Sequence, residues 1–198
     1  MTRRRLPAAV AIAAATGLLG ACGGSAGAGE ASAVLPPPTP DPSLVAAAGL
    51  DRCPSVDGGS SGTLPDTPLP CLGSGPPIRL SALAGTPTVV NVWATWCGPC
   101  RAELPHFQWL HAAAGDRVRV LGVLYEDDPD GGLAFAQKLG VRFPSVVDID
   151  GELKRAQVVG LPATFFVAAD GATTLKLGEV KSRAELRDLV AERLGVSL

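Results

Sequence analysis

The strongest indication of the fold lies in one stretch of sixteen consecutive residues. It runs from Val90 to Pro105 and reads VNVWATWCGPCRAELP. Its first residues belong to an almost continuous apolar run, which is typical of a strand buried on both faces of a parallel sheet. A helical pattern follows from Arg101 to about Ala114, and Gly115 is placed to end it. The cysteines Cys97 and Cys100 therefore fall at the start of a helix that follows a central strand.

The spacing of Cys97 and Cys100 is that of a redox-active pair, C-x-x-C. Unpaired N–H groups and the helix dipole stabilise a thiolate at a helix N-terminus, so we expect Cys97 to be the exposed nucleophile. Cys100 lies one turn further in, and we expect it to resolve the mixed disulfide by attacking Cys97. A metal site is disfavoured because the chain has no second C-x-x-C. We therefore predict no metal and no cofactor apart from this disulfide.

The composition limits the other readings of the chain. A length of 198 residues suits about one domain. The formal net charge of −2 gives the chain no overall positive potential that would attract a polyanion, which argues against nucleic-acid binding. Glycine and proline number 24 and 18, which is high but below the share that marks a wholly disordered chain.

Residues 1–21 read as a signal peptide, because arginines precede an apolar run that is too short to span a membrane comfortably. The sequence LGAC at 19–22 resembles a bacterial lipobox, in which Cys22 is acylated after cleavage. An ordinary cleaved signal with a stray cysteine is the alternative, and twin-arginine export also stays open. Residues 22–49, rich in Gly, Ala, Ser and Pro, are expected to form a flexible linker behind the lipidated Cys22.

Residues 50–75 form a turn-rich extension that carries Cys53 and Cys71. With Cys22 acylated and the C-x-x-C taken as one pair, these two cysteines remain for a second disulfide, which is common outside the cytoplasm. We expect it to staple the extension to the domain that follows, residues 76–198. A redox role, in which this pair passes electrons to the C-x-x-C, is the alternative.

The Val90–Pro105 motif resembles the thioredoxin fold. More narrowly, it is similar to the TlpA/ResA/DsbE group of membrane-tethered thiol–disulfide oxidoreductases, including actinobacterial lipoproteins. The resemblance covers residues 76–198 and implies an α/β fold, with a central mixed β-sheet flanked by helices. It also implies the β-α insertion of TlpA-like proteins, at about residues 144–158. A hairpin around Asp170-Gly171 and a helix capped by Ser182 follow.

The resemblance assigns roles to four further positions. Pro162 matches the cis-proline that faces the active-site cysteines, and the backbone of Leu161 then pairs with the substrate chain. Trp96 is a contact for partners. Glu103 matches a glutamate that exchanges a proton with the second cysteine; a solvated surface glutamate is the alternative. Asn91 stands where thioredoxin itself has a buried aspartate.

The implied function is extracytoplasmic thiol–disulfide exchange on exported proteins, by a protein lipid-anchored to the outer face of the cell membrane. We favour a reductase, with apocytochrome c thiols as one substrate and a membrane electron-transfer partner of the CcdA/DsbD or VKOR type. A disulfide-forming oxidase is the alternative, because similar proteins of high-GC Gram-positive bacteria, whose composition this chain resembles, have been proposed as oxidants.

Two other functions on the same fold are less favoured. A Sco-type copper chaperone uses C-x-x-x-C and a distant histidine, whereas this chain has C-x-x-C and keeps His106 and His111 on the active-site helix. A peroxidase has a threonine three residues before its cysteine, where this chain has Ala94. The acidic run at 126–130 is expected to be a solvated loop.

Overall fold

The computed structural model describes residues 39–59 and 62–198, and its centre is a five-stranded mixed sheet. The strands are β1 Thr88–Trp93, β2 Arg119–Tyr125, β3 Ser145–Asp148, β4 Ala163–Val167 and β5 Thr173–Leu177. They lie in the order β3-β2-β1-β4-β5. Strands β1, β2 and β3 are parallel, and β4 is antiparallel to both β1 and β5. The predicted α/β class with a central mixed sheet is confirmed.

The described residues also form four α-helices and three 3-10 turns. The α-helices are α1 Pro42–Ala48, α2 Gly98–Ala114, α3 Pro129–Leu139 and α4 Arg183–Leu194, and 3-10 turns form at Leu80–Ala82, Gly115–Arg117 and Glu152–Ala156. The cap of α4 follows the prediction, because Ser182 Oγ accepts from the N–H of Glu185 at 3.1 Å. Within residues 39–59 and 62–198, no helix is long and apolar enough to cross a membrane.

Strand β1 is buried along its whole length because both faces of the sheet are covered. On one face Val89 and Trp93 pack with apolar residues of α2, α3 and α4. On the other face Val90 and Val92 pack with residues of the N-terminal extension and of the last 3-10 turn. Burying each aliphatic side chain contributes about 1.5–3 kcal/mol. The buried centre of the sheet therefore fixes the position of β1, from which the loop with Cys97 begins.

The N-terminal extension is fastened to the outer edge of β3. A disulfide joins Cys53 and Cys71, which confirms the predicted staple. The N–H of Leu72 donates to the carbonyl of Ser145 at 2.7 Å, so the segment pairs with β3 as an added antiparallel piece. Gly75 has a φ of 128°, and a Cβ there would meet the backbone of Cys53 at 2.7 Å. Only glycine fits this close approach.

The end of the segment 22–49, which the composition predicts to be a flexible linker, is helical. Residues 42–48 form α1, so the prediction is wrong there. Asp41 caps the start of the helix, and Gly49, with a φ of 61°, ends it. A helix this short is not stable alone. It persists because its partly buried side chains pack against the core and the N–H of Asp41 donates to Asp130 Oδ1 at 2.9 Å.

The predicted β-α insertion at about 144–158 contains β3, and its helical part is the 3-10 turn Glu152–Ala156. The turn ends at Ala156 because Gln157 takes a φ of 67°. Asp148 fixes its start, since its two carboxylate oxygens accept from the N–H groups of Glu152 and Leu153 at 2.8 and 3.0 Å.

Candidate active site

Cys97 is the N-cap residue of α2, and Cys100 lies in the first turn of that helix. A disulfide joins the two side chains. Cys97 Sγ also accepts a hydrogen bond from the backbone N–H of Cys100 at 3.2 Å. Backbone donors that point at this sulfur stabilise a thiolate once the disulfide is reduced. The structure therefore places the nucleophile expected from the sequence at a helix N-terminus.

Access to the two sulfurs is unequal. In the disulfide form Cys97 is 5% exposed and Cys100 is fully buried. The sequence predicts an exposed Cys97, so only the order of access agrees with the expectation. Both cysteines belong to the buried core cluster against which the partly buried side chain of Leu161 packs. An incoming thiolate reaches Cys97 more readily than Cys100.

Glu103 is fully buried and lies one helical turn beyond Cys100. Its Oε1 accepts from Asn91 Nδ2 at 2.7 Å, and its Oε2 accepts from the backbone N–H of Val180 at 2.8 Å. Burial raises the pKa of Glu103 to about 7, although both hydrogen bonds and Lys176 act in the opposite direction. The alternative of a solvated surface glutamate is wrong. A carboxyl group that titrates near neutrality can hold or release a proton beside Cys100.

Asn91 can serve either protonation state of Glu103. Its Oδ1 is buried and has no hydrogen-bond partner among the described residues. The same holds for Oγ1 of Thr164, which pairs with Asn91 in the β1–β4 register. When Glu103 is protonated, a half-turn of the amide lets Oδ1 accept the carboxylic proton and turns the amide nitrogen away. An aspartate at this position could not donate to the ionised carboxylate.

The Leu161–Pro162 peptide bond is cis, as the resemblance implies. Pro162 directly precedes β4, whose first residue Ala163 pairs with Val92 near the end of β1. Because a short loop leads from β1 to Cys97, the cis bond lies at the same end of the sheet as the disulfide. The geometry thus brings together the backbone segment and the cysteines that the resemblance connects.

An open groove of about 470 Å³ lies beside Trp96 at this end of the sheet. Trp96 is 62% exposed and Val159 is 84% exposed, which is unusual for such large apolar side chains. The groove is lined by Trp96, Tyr125, Glu126, Lys154 and the segment 158–161. Exposed apolar side chains beside a redox disulfide offer a surface that an extended polypeptide can contact.

The acidic run 126–130 is part of the architecture rather than a freely solvated loop. Asp127 Oδ2 accepts from the backbone N–H and from Oγ1 of Thr95, at 2.6 and 2.7 Å. Thr95 opens the cysteine loop, so this contact fixes the loop. Sequence reasoning missed it. The signal was available, because both residues stand two positions after the ends of the neighbouring parallel strands β1 and β2.

The two histidines of α2 have different surroundings. His111 Nε2 lies 2.8 Å from Asp51 Oδ2 in the extension. Nδ1 of His106 is buried and has no hydrogen-bond partner in the described part of the chain. Within residues 39–59 and 62–198, no group of three or more His, Cys, Asp or Glu side chains could hold a metal ion.

Two sites predicted from the sequence, the Cys53–Cys71 disulfide and the lipidation site, are not part of the candidate active site. Cys53 packs in the core cluster on the opposite face of the sheet from the one that contains Cys97 and Cys100. Its partner Cys71 pairs with the edge strand β3. The predicted lipidation site, Cys22, and the signal peptide lie outside the described residues.

Substituting Glu103 should change how stability depends on pH. The pKa of Glu103 is raised from 4.5 to about 7 in the folded protein. Between these two pH values the folded protein keeps a proton on Glu103 that the unfolded chain loses. Stability should therefore fall as the pH rises from about 4.5 to about 7, by up to about 3 kcal/mol. Glu103→Gln, which resembles the protonated side chain, should lack this fall. Urea unfolding of the oxidised protein at about pH 5 and about pH 8 measures it.

The matched control is Glu192→Gln, which removes an exposed carboxylate from α4. It should lose stability with rising pH as the unsubstituted protein does. The same dependence in Glu103→Gln would show that Glu103 does not titrate near neutrality.

Residues 62–175 match the AhpC/TSA family. The chain is 38% identical to the thiol:disulfide interchange protein DsbE of Escherichia coli over 89 residues, which cover 44% of this chain and 46% of DsbE. It is 33% identical to the thiol-disulfide oxidoreductase ResA of Oceanobacillus iheyensis over 96 residues, 48% of this chain and 50% of ResA. The chain thus spans about half the length of the curated relatives it matches.

A solved structure shows the same fold. It is a secreted Mycobacterium tuberculosis disulfide oxidoreductase homologous to E. coli DsbE. The TM-score is 0.58 at 30% identity, over 64% of this chain and 96% of that one. The family match over residues 62–175 contains both cysteines of the C-x-x-C, Glu103 and the cis Leu161–Pro162 bond. The chain therefore belongs to the AhpC/TSA family of thioredoxin-like proteins, and its predicted resemblance to the DsbE and ResA oxidoreductases is confirmed.

Proposed function

We propose that this protein exchanges thiols and disulfides on exported proteins through Cys97 and Cys100. The observation that carries the proposal is the disulfide at the N-terminus of α2, at the same end of the sheet as the cis Leu161–Pro162 bond. In the reducing direction, the Cys97 thiolate attacks one sulfur of a substrate disulfide and releases the other as a thiolate. Cys100, deprotonated, then attacks Cys97 Sγ and frees the second substrate sulfur. Two electrons pass to the substrate, and the Cys97–Cys100 disulfide forms.

Glu103 supports the reducing direction. Resolution requires Cys100 to lose its proton, and the carboxylate of Glu103, one turn away, can take it. An ionised Glu103 also disfavours a second negative charge on Cys100 and so favours the protonated thiol there. A less stable Cys100 thiolate makes the dithiol a stronger reductant, whereas the stabilised Cys97 thiolate acts in the opposite direction, so the reduction potential decides between them.

The groove beside Trp96 supports a polypeptide substrate. Trp96 and Val159 both line the groove and expose apolar surface, and Val159 belongs to the segment that leads into the cis bond. In this proposal they contact side chains of an extended substrate, while the Leu161 backbone pairs with its main chain. Thiols of apocytochrome c are one candidate substrate. The electrons would come from a membrane protein of the CcdA/DsbD or VKOR type.

An extracytoplasmic location, with acylated Cys22 as the membrane anchor, completes the proposal. Its support is the lipobox-like sequence at 19–22 and a second disulfide, Cys53–Cys71, of a kind that persists in oxidising compartments. The similar M. tuberculosis protein is described as secreted.

The test is the reduction potential of the Cys97–Cys100 pair, measured by equilibration with dithiothreitol or glutathione. A reductase should give about −250 mV or below, near the roughly −270 mV of thioredoxin. A value near the about −120 mV of strong oxidants would instead assign the protein to disulfide formation. An absence of exchange with either reagent would reject both directions.

A further inference from the structure

The segment between β5 and α4 supplies one of the two hydrogen bonds to Glu103. The backbone N–H of Val180 donates to Glu103 Oε2 at 2.8 Å, although the two residues are 77 positions apart in the chain. A backbone donor holds a carboxylate only as firmly as its own segment is held. What fixes residues 178–181 therefore also fixes the carboxyl group beside the redox pair.

The side chain of Val180 is itself fully buried in the core, and Lys176, on β5, binds the turn on either side of that anchor. Its Nζ donates to the carbonyl oxygens of Gly178 and Glu179, at 2.9 and 2.8 Å. It also lies 3.6 Å from Oε1 of Glu185 on α4. The side chain is only 17% exposed, so these contacts are made largely out of water. One ammonium group thus bridges the end of β5, the following turn and the start of α4.

Glu185, on α4, binds the other end of the same turn. Its Oε2 accepts from the backbone N–H of Lys181 at 2.8 Å, and its own N–H donates to Ser182 Oγ at 3.1 Å. The turn that contains Val180 is therefore held at its beginning by Lys176, together with the bond from the N–H of Gly178 to the carbonyl of Pro162 at 2.9 Å, and at its end by Glu185. The ion pair between these two side chains connects the two ends.

We propose that Lys176 is a positioning residue for the exchange reaction: it keeps the Val180 N–H on Glu103, favours the ionised carboxylate, and so sets the pH range in which Glu103 serves Cys100. The proposal rests on the proposed function in its last clause alone. The link from Lys176 to Glu103 follows from contacts that exist in the oxidised protein whatever its substrate.

The groups around Glu103 give the direction of the effect. Cys100 and His106 flank it on α2, Asn91 donates from β1, and the charges that act on it are Lys176 and Glu179. Lys176 lowers the pKa of Glu103 and Glu179 raises it, so the two nearly neighbouring charges oppose each other. Without Lys176, both the loosened Val180 bond and the unopposed Glu179 act to raise the pKa further.

The test compares Lys176→Met with Lys181→Met. Both remove one lysine close to the turn that contains Val180, but the side chain of Lys181 is exposed. The pKa of Glu103 is measured by carbon-13 NMR of its carboxyl group in the oxidised protein. Lys176→Met should raise it by at least about one unit, a tenfold change in proton affinity. Lys181→Met should leave it unchanged, and Lys176→Arg, which keeps charge and donors, should restore it.

A second readout connects the carboxyl group to the reaction. The pH at which insulin reduction reaches half its maximal rate should rise in Lys176→Met and stay the same in Lys181→Met. If Lys176→Met does not fold, Lys176→Gln removes the same charge while keeping a side-chain NH₂ group as donor. Equal carboxyl pKa values in the Lys176 and Lys181 variants would overturn the proposal. The NMR titration remains valid even if no exchange is found, so the two proposals can fail separately.

Discussion

Replacing Cys97 by serine is expected to lower the rate of insulin disulfide reduction by at least about 1,000-fold, because a neutral hydroxyl cannot replace an attacking thiolate. The fold should survive, since serine is a favoured N-cap residue and its hydroxyl can accept the hydrogen bond that Cys97 Sγ now accepts from the Cys100 N–H. Turbidity of reduced insulin measures the rate, and circular dichroism checks the fold.

Cys100→Ser is the matched control for this prediction. It retains the nucleophile but cannot resolve the mixed disulfide, so a covalent adduct between Cys97 and the substrate should accumulate and be visible by mass spectrometry without reductant. If Cys97→Ser trapped the adduct and Cys100→Ser did not, the two roles would have to be exchanged. The lower exposure of Cys100 argues against that outcome.

Removing both cysteines of the staple is expected to destabilise the protein and leave its chemistry intact. The Cys53–Cys71 disulfide closes a loop with a sequence separation of 18, for which chain entropy gives about 3 kcal/mol. Cys53→Ser combined with Cys71→Ser should lower the free energy of unfolding by about that amount. Urea denaturation without reductant measures the loss. The double substitution avoids an unpaired thiol that could attack the Cys97–Cys100 disulfide.

The alternative for this pair, a relay of electrons to the C-x-x-C, makes a different prediction. A relay would make the double variant as inactive as Cys97→Ser at temperatures where it is still folded. The structure favours the staple, because Cys53 packs in the core cluster on the opposite face of the sheet from the redox pair. Full activity in the double variant would leave the staple as its role.

The sequence was sufficient for the fold and for the residues of one contiguous motif. A buried strand followed by C-x-x-C and a helix defines β1, the loop and α2, and the one-turn spacing from Cys100 places Glu103 on the same helix. Contacts between segments that are far apart in the chain could not be predicted from the sequence. Val180 reaches Glu103 through a backbone N–H, which any residue except proline carries, so no side-chain pattern marks it.

Composition is a poor guide where short helix signals lie inside a segment of biased composition. Residues 42–48 belong to a stretch dominated by Gly, Ala, Ser and Pro, yet Asp41 and Gly49 are ordinary start and stop residues of a helix. In the acidic run, the number of charges suggested solvation. The position of Asp127 after β2 was more informative, because it faces Thr95 after β1.

The pairing of residues 70–72 with β3 bears on self-association. A sheet edge with unpaired N–H and C=O groups is a template on which another molecule can add a strand and begin to aggregate. Here one side of the sheet is already occupied by the chain's own extension. On the other side, β5 carries Lys176, whose charge is turned toward α4, and a charge in such an edge strand discourages further strands. A strand from another molecule would therefore meet an occupied edge on one side of the sheet and a charged edge strand on the other.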